Sequence, residues 1–66
     1  MKPVKSGSIS HVGHDPETGI LSVKFHSGQT YRYADVPADQ AAKMLAAESV
    51  GRHFMENIRG SFKVVK

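Results

Sequence analysis

The alternation of apolar and polar residues in the segment 21–25 (LSVKF) predicts a strand with one buried face. The alternation resumes in the segment 31–33 (YRY), where two tyrosines flank an arginine. Between the two segments lies Gly28, a residue typical of tight turns. The sequence therefore predicts a hairpin of two antiparallel strands.

Two turns are compatible with this hairpin, and they give opposite registers. A two-residue turn would pair Val23 with Arg32 and place the arginine on the apolar face. A three-residue loop, with the glycine in a left-handed bulge position, pairs Val23 with Tyr31. The same loop pairs Leu21 with Tyr33. A slip of one residue turns every side chain to the other face. We predict the second register because it collects all the apolar side chains on one face.

An earlier strand is predicted around Ile9 and Val12. These residues are three positions apart, so a regular strand would point them to opposite faces. A bulge near Ser10 or Gly13 would bring both to the same face. The segment 15–19 (DPETG) that follows is typical of a turn.

Two helices are predicted in the second half of the chain. Pro37 is well placed in the first turn of a helix over 38–48. The predicted apolar stripe of this helix consists of Ala38, Ala41 and Leu45, with Ala42 and Met44 at its edges.

The second helix is predicted over 50–58, where apolar residues recur at every fourth position. Ser49 is its predicted N-cap, and Gly60 is predicted to end it as a C-terminal cap. A short final strand is an option over 62–65.

Together these elements predict an α+β fold. It consists of a three-stranded antiparallel meander with two C-terminal helices packed on one face, and optionally a short final strand. Residues 1–7 show no periodicity and predict a flexible N-terminal arm, while residues 8–66 form a single domain. A chain of 66 residues has room for a small core only.

Composition narrows the class of protein. The chain has no cysteine, which excludes disulfides and thiolate metal sites and fits a reducing compartment. No apolar run approaches the roughly 20 residues that span a bilayer, and no apolar segment follows the basic N-terminus as in a secretory signal. We therefore expect a cytoplasmic protein without a membrane partner. The net charge of +3 is compatible with binding to a polyanion.

No constellation of residues predicts catalysis. His11 and His14 form an H-x-x-H pair, but positions three apart on a strand point to opposite faces, so they converge on one metal ion only if a bulge lies between them. The sequence contains no G-x-S-x-G motif, no nucleophilic cysteine and no phosphate-binding glycine loop. We predict a protein that is not an enzyme and uses neither metal, cofactor nor small-molecule substrate.

A nucleic acid is the partner that the charged residues favour. Tyr31 and Tyr33 have the spacing of a base-stacking platform, yet the predicted register places them in the core beneath the helices. Arg52 and Arg59 are seven apart and are predicted to share one side of the second helix. The residues predicted to contact phosphates are Lys24, Arg32, Arg52, Arg59 and Lys63.

Several short motifs, taken in order, resemble those of the KTSC domain. The positions that carry the resemblance are Ile9, Gly13-His14-Asp15, Leu21-Ser22-Val23-Lys24-Phe25, Gly28, Tyr31-Arg32-Tyr33, Val36-Pro37, Ala47-Glu48-Ser49-Val50-Gly51, Phe54, Ile58-Arg59 and Phe62. That family includes a module at the C-terminus of some lysyl-tRNA synthetases and small stand-alone bacterial and phage proteins. The chain departs from the pattern at His14, where an aromatic residue often follows the glycine, and at Met55, where a polar residue is common.

The predicted function is a small non-catalytic binding module, and the synthetase context of the family implies RNA as its partner. The alternative is a protein-interaction module or a homodimer that pairs through a strand edge. The family motif residues, which we interpret as structural, are Tyr31, Tyr33, Pro37, Ser49, Gly51 and Phe54.

Overall fold

The computed structural model describes residues 1–65 and shows a five-stranded antiparallel sheet with helices on one face. The elements in chain order are β1 (Lys2–Pro3), β2 (Ile9–Asp15), β3 (Ile20–Phe25), β4 (Thr30–Tyr33), α1 (Ala38–Ala46), α2 (Val50–His53), a π-helical segment (Phe54–Ile58) and β5 (Val64–Val65). The strands lie in the sheet in the order in which they occur in the chain. The predicted α+β class is confirmed, but the sheet has more strands than the predicted meander of three.

The β3–β4 hairpin has the predicted register. Val23 pairs with Tyr31, and Leu21 pairs with Tyr33. Val23 and Leu21 are fully buried, whereas Arg32 lies on the opposite face of the sheet. The choice of register from the apolar pattern is therefore confirmed.

The loop between these strands has three residues, as the register requires. The Gly28 N–H donates to the Phe25 carbonyl at 2.9 Å, and the Phe25 N–H donates to the Gln29 carbonyl at 2.8 Å. Gly28 has a φ of 98°, a conformation that residues with a Cβ rarely adopt. A glycine is therefore needed at the bulge position of this loop.

Strand β2 contains the predicted bulge, and it lies at Ser10. The pairing with β3 shifts between Ile9 and His11. As a result both Ile9 and Val12 point into the core, where they are 0% and 1% exposed. Of the two bulge positions left open by the sequence, the structure has the one at Ser10.

The N-terminal residues, for which the sequence predicts a flexible arm, include strand β1. Lys2 pairs with Val12 and Pro3 pairs with His11 of β2. Val4 packs against the core, and its N–H donates to the Ser10 carbonyl at 3.1 Å. Two paired residues are too short to show a period-2 pattern, so the sequence alone does not reveal this strand.

Helix α1 packs with a different side from the one predicted. Met44 is 0% exposed and Ala41 is 4% exposed, whereas Leu45 is 39% exposed. The assignment of Leu45 to the centre of the buried stripe and of Met44 to its edge was therefore wrong. Helix α1 contacts both α2 and β2, so its buried side turns toward the junction between the sheet and the second helix.

The second helix begins where the sequence predicts. The Ser49 side chain caps it by accepting a hydrogen bond from the Arg52 N–H at 3.3 Å. The helix does not stay regular to its end, because it widens into the π-helical segment, where the Arg59 N–H donates to the Phe54 carbonyl at 2.9 Å. The prediction of one α-helix over 50–58 was wrong in this respect.

The end of this helix also differs from the prediction. Among residues 1–65 the glycines with positive φ are Gly19 and Gly28, so Gly60 is not the left-handed cap that the sequence suggested. Instead the N–H groups of Ser61 and Phe62 donate to the Ile58 carbonyl, at 3.2 and 3.1 Å. These two bonds satisfy a helix-terminal carbonyl without a left-handed residue.

Gly51 marks a close crossing between α2 and the segment before β2. A Cβ atom at this position would lie 2.9 Å from both Ser6 Oγ and Ser8 Oγ. The Ser6 hydroxyl is held in place because it accepts a hydrogen bond from the Ile9 N–H at 3.2 Å. The crossing therefore requires a glycine at position 51.

A single hydrophobic core lies between the sheet and the helices. Its buried members are Ile9, Val12, Leu21, Val23, Tyr33, Val36, Ala41, Met44, Val50, Phe54 and Ile58. None of the helices within residues 1–65 combines the length and the hydropathy needed to cross a bilayer.

Candidate nucleic-acid interface

The face of the sheet that the helices leave uncovered, called here the open face, carries two of the predicted phosphate-binding residues. Lys24 lies opposite Thr30 of β4, and Arg32 lies opposite Ser22 of β3. Both side chains are exposed. Residues that pair diagonally on adjacent strands are roughly 7–8 Å apart, so the two cations are close neighbours.

Within residues 1–65 no carboxylate neutralises the charges on the open face. Within residues 1–65 the ion pair that forms is Arg52 with Glu56, and neither Lys24 nor Arg32 takes part in one. His11 lies opposite Lys24 on β2, and its Nδ1 forms a 2.6 Å hydrogen bond with the Ser10 hydroxyl. The open face therefore presents positive charge beside hydrogen-bonding groups.

Arg52 lies on the helical side and has a carboxylate partner. Its Nε donates to Glu56 Oε1 at 2.7 Å, an i,i+4 pair in which both side chains are largely exposed. An exposed pair of this kind contributes little to stability, but it offsets the positive charge of the arginine. Arg52 therefore differs from the cations of the open face both in its location on α2 and in having a carboxylate partner.

On the helix-covered side, the two tyrosines have different surroundings. Tyr33 is 3% exposed and packs edge-on against the Phe54 ring, with centroids 5.5 Å apart. Tyr31 shares this face but is 40% exposed, and its ring meets the Phe25 ring edge-on at 5.5 Å. The interpretation as core residues is correct for Tyr33, whereas Tyr31 lies beyond the cover of the helices.

The uncovered part of this face forms an open concavity of about 650 Å³, called here the aromatic groove. The lining residues used below are Phe25, Gln29, Tyr31, Met55, Arg59 and Val64. Sequence reasoning did not find this groove. The sequence feature that could have indicated the groove is Met55, an apolar residue next to Phe54 in the second helix. In the structure Phe54 is buried, whereas Met55 is exposed.

Arg59 belongs to the aromatic groove rather than to a strip with Arg52. Its Nη1 donates to Met55 Sδ at 3.6 Å, and the π-helical segment ends immediately before it. Lys63 is exposed and lies one residue before β5, where its carbonyl accepts a hydrogen bond from the Ala34 N–H at 2.9 Å. The structure thus distributes the five predicted cations over four surroundings.

The histidine pair does not converge. His11 is opposite Lys24 on the open face, whereas His14 is opposite Leu21 on the helix-covered face. His14 Nε2 forms a 2.7 Å hydrogen bond with the Val36 carbonyl, which ties β2 to the segment before α1. Among the residues that the structure describes, no group of three potential ligands is placed to hold a metal ion.

Burial raises the pKa of the Tyr33 phenol above its ordinary value, against the opposing effect of the Arg59 charge and with a smaller contribution from Tyr31. Unfolded tyrosine ionises near pH 10, so above that pH the unfolded state releases a proton that folded Tyr33 retains. The stabilising contribution of Tyr33 is complete below this pH and is lost as pH rises through the folded pKa.

We therefore expect the free energy of unfolding to fall at alkaline pH by more in the wild type than in Tyr33→Phe. Urea unfolding of both proteins at neutral pH and above about pH 10 measures this difference. Lysines also titrate in this range, but their effect cancels because both proteins contain the same lysines. Tyr31→Phe is the matched control because Tyr31 is exposed. Equal alkaline losses in the wild type and in Tyr33→Phe would show that the phenol of Tyr33 is not responsible.

Comparison with known proteins assigns the chain to a family. A family model for the KTSC domain matches residues 5–62. The chain belongs to the KTSC domain family. A crystal structure of a KTSC domain protein from Yersinia pestis has the same fold, with a TM-score of 0.93 and 35% sequence identity. That match covers 98% of this KTSC domain chain and 92% of the other.

Relatives of this KTSC domain are both small proteins and part of a large one. An uncharacterized protein from Stutzerimonas stutzeri is 47% identical over 51 residues, 77% of this chain and 72% of that protein. A protein from Tsukamurella paurometabola is 40% identical over 65 residues, 98% of this chain and 97% of the relative. A lysine–tRNA ligase from Nostoc punctiforme is 33% identical over 63 residues, which are 96% of this chain but 11% of the ligase.

Proposed function

We propose that this KTSC domain binds RNA, and that Lys24 and Arg32 on the open face contact its phosphates. The observation that carries the proposal is the pairing of two exposed cations as diagonal neighbours on an uncovered sheet, without carboxylate partners within residues 1–65. Lysine and arginine that neutralise phosphates release counterions, which favours binding to a polyanion. Lys63, which is exposed and lies one residue before β5, is a further candidate for phosphate contact.

The similarity to a lysine–tRNA ligase is the reason for proposing RNA as the partner. A segment similar to this KTSC domain makes up 11% of that ligase, an enzyme that acts on tRNA. The net charge of +3 on 66 residues is consistent with the same class of ligand. The charge favours any polyanion, so the relationship to the ligase is the reason for choosing RNA over an acidic protein.

The alternative, self-association through a strand edge, has less to support it. The outermost strands β1 and β5 have two residues each, and Pro3 of β1 has no N–H to donate. A second copy that paired along either edge would gain few backbone hydrogen bonds. The open face therefore carries the proposal better than an edge does.

The test measures the affinity for a short fluorescein-labelled single-stranded RNA by anisotropy between about 50 and 200 mM salt. Replacing both Lys24 and Arg32 with glutamine should weaken binding at low salt. The slope of log K against log salt should become shallower by about 1.4, since each contact with a single strand contributes about 0.7. Base sequence should matter little to this loss, because phosphate contacts carry no sequence information.

A matched control removes the same amount of charge from the helical side. Lys43 and Arg52 are exposed there, and replacing both with glutamine gives the same net charge as the first double variant. We expect this control to keep nearly the full salt slope. Equal slopes in the two double variants would exclude the open face as the contact surface, and absence of measurable binding by the wild type would overturn the proposal as a whole.

A further inference from the structure

The aromatic groove gathers exposed apolar side chains that the core does not use. Six large hydrophobic side chains among residues 1–65 are exposed, and Tyr31, Met55 and Val64 line this one groove. Single exposed apolar residues are ordinary, whereas a cluster of them in a concavity indicates a binding site. The groove volume of about 650 Å³ is within the usual range for a small organic ligand.

Tyr31 is exposed but held in position. Its ring meets the Phe25 ring edge-on, with 80° between the planes, and its hydroxyl donates to Gln29 Oε1 at 3.1 Å. A ring that is already fixed in this way loses little conformational freedom when a ligand stacks on it. Tyr31 is therefore suited to bind a flat aromatic group.

Arg59 determines which charge the ligand can carry. None of the described residues that line the groove is acidic, and Arg59 supplies a full positive charge. The Arg59 Nη1 donates to Met55 Sδ, but a thioether is a weak acceptor. Most of the guanidinium donors therefore remain available, and their fork geometry matches a phosphate group. A ligand with a planar ring and a nearby phosphate satisfies both features of the groove.

We propose that the aromatic groove binds an unpaired nucleobase of RNA, stacked on Tyr31, while Arg59 contacts the neighbouring phosphate. This inference rests on the RNA binding proposed above and adds a second contact surface to it. Tyr31 and Arg32 are consecutive in β4 and point to opposite faces of the sheet. At the edge strand β5, Val64 lines the groove and Val65 pairs with Arg32. A single strand that passes around the β5 edge therefore reaches both the open face and the groove.

The decisive experiment substitutes the exposed ring and leaves the charges unchanged. Tyr31→Leu should weaken binding of single-stranded RNA about tenfold, because stacking on one base is lost, whereas Tyr31→Phe should keep most of the affinity. The salt slope should stay the same in both variants, since no phosphate contact is removed. The same oligonucleotide annealed to its complement is the control ligand, and its binding should not depend on residue 31 because its bases are stacked within the duplex.

Arg59→Gln tests the second half of the inference. It should lower both the affinity for the single strand and its salt slope, the latter by about 0.7, because one phosphate contact is removed. Thermal unfolding of each variant checks that the fold is intact, which we expect because Tyr31 and Arg59 are both exposed.

The outcomes separate the groove from the open face. If Tyr31→Leu binds single-stranded RNA as tightly as the wild type while the Lys24/Arg32 double variant binds weakly, the groove inference is overturned and RNA binding stands. If the wild type binds no RNA, both are overturned. If Tyr31→Leu changes the sedimentation of the protein but not its RNA affinity, the groove is a contact between protein chains and the inference is also overturned.

Discussion

Replacing Phe54 with alanine is expected to lower the free energy of unfolding by about 3–5 kcal/mol. Phe54 is 2% exposed, and its ring packs edge-on against Phe25 at 5.6 Å and against Tyr33 at 5.5 Å. Each such aromatic pair contributes about 0.5–1.5 kcal/mol beyond the area that it buries. A domain of this size has a total stability of about 3–10 kcal/mol, so the variant should be unfolded in a large fraction of molecules.

Urea unfolding followed by circular dichroism measures this loss. The adjacent Met55 lies in the same π-helical segment but is 54% exposed, so Met55→Ala should change the stability by no more than about 0.5 kcal/mol. If Phe54→Ala were too unstable to measure, Phe54→Leu would keep part of the buried area and give an intermediate value. A Phe54→Ala loss as small as that of Met55→Ala would mean that the three rings do not hold the helix on the sheet.

The second large effect is expected in helix α1. Met44 is completely buried, so Met44→Ala should cost about 2–5 kcal/mol. The neighbouring Leu45 is 39% exposed, and Leu45→Ala removes a side chain of similar size from a position that is partly in water. We expect Leu45→Ala to cost clearly less than Met44→Ala.

The comparison of these two variants tests which side of α1 faces the core, since both substitutions leave a good helix former at their position. Urea unfolding midpoints with equal m-values give the two free energies. A larger loss of unfolding free energy for Leu45→Ala than for Met44→Ala would support the helical wheel prediction and contradict the packing seen in the structure.

The parts of the fold that the sequence predicts correctly depend on local chemistry. The register of the hairpin follows from the alternation along β3 and β4 and from one glycine with positive φ. The bulge at Ser10 follows from two apolar residues that must reach the same core. The Ser49 cap follows from a hydroxyl before an amphipathic run. Each of these signals lies within a few residues of the feature that it predicts.

The parts that the sequence does not predict depend on distant neighbours. The choice between Met44 and Leu45 is made by the position of α2 beside α1, which a helical wheel does not contain. The exposure of Tyr31 depends on how far the helices extend over the sheet, although its face is set by its register. The π-helical segment likewise has no counterpart in the apolar pattern of the second helix.

The candidate interface also combines features that follow from local sequence with features that depend on distant neighbours. The sequence predicts Lys24 and Arg32 on the sheet. It predicts Arg59 on the second helix beside Arg52, but it does not place Arg59 in a groove beside Tyr31. The pairing of Arg52 with Glu56 follows a helical i,i+4 spacing. The aromatic groove, by contrast, is built from residues in β3, β4, the π-helical segment and β5, and so it exists only in the folded protein.

The contact of Ser6 and Ser8 with Gly51 has a consequence for the order in which the protein folds. It joins residues far apart in the chain, and closing such a long loop loses entropy before any contact can compensate for it. The β3–β4 hairpin closes a loop of only a few residues and can form independently of the N-terminus. The docking of α2 against the segment before β2 is therefore expected to follow the formation of this hairpin.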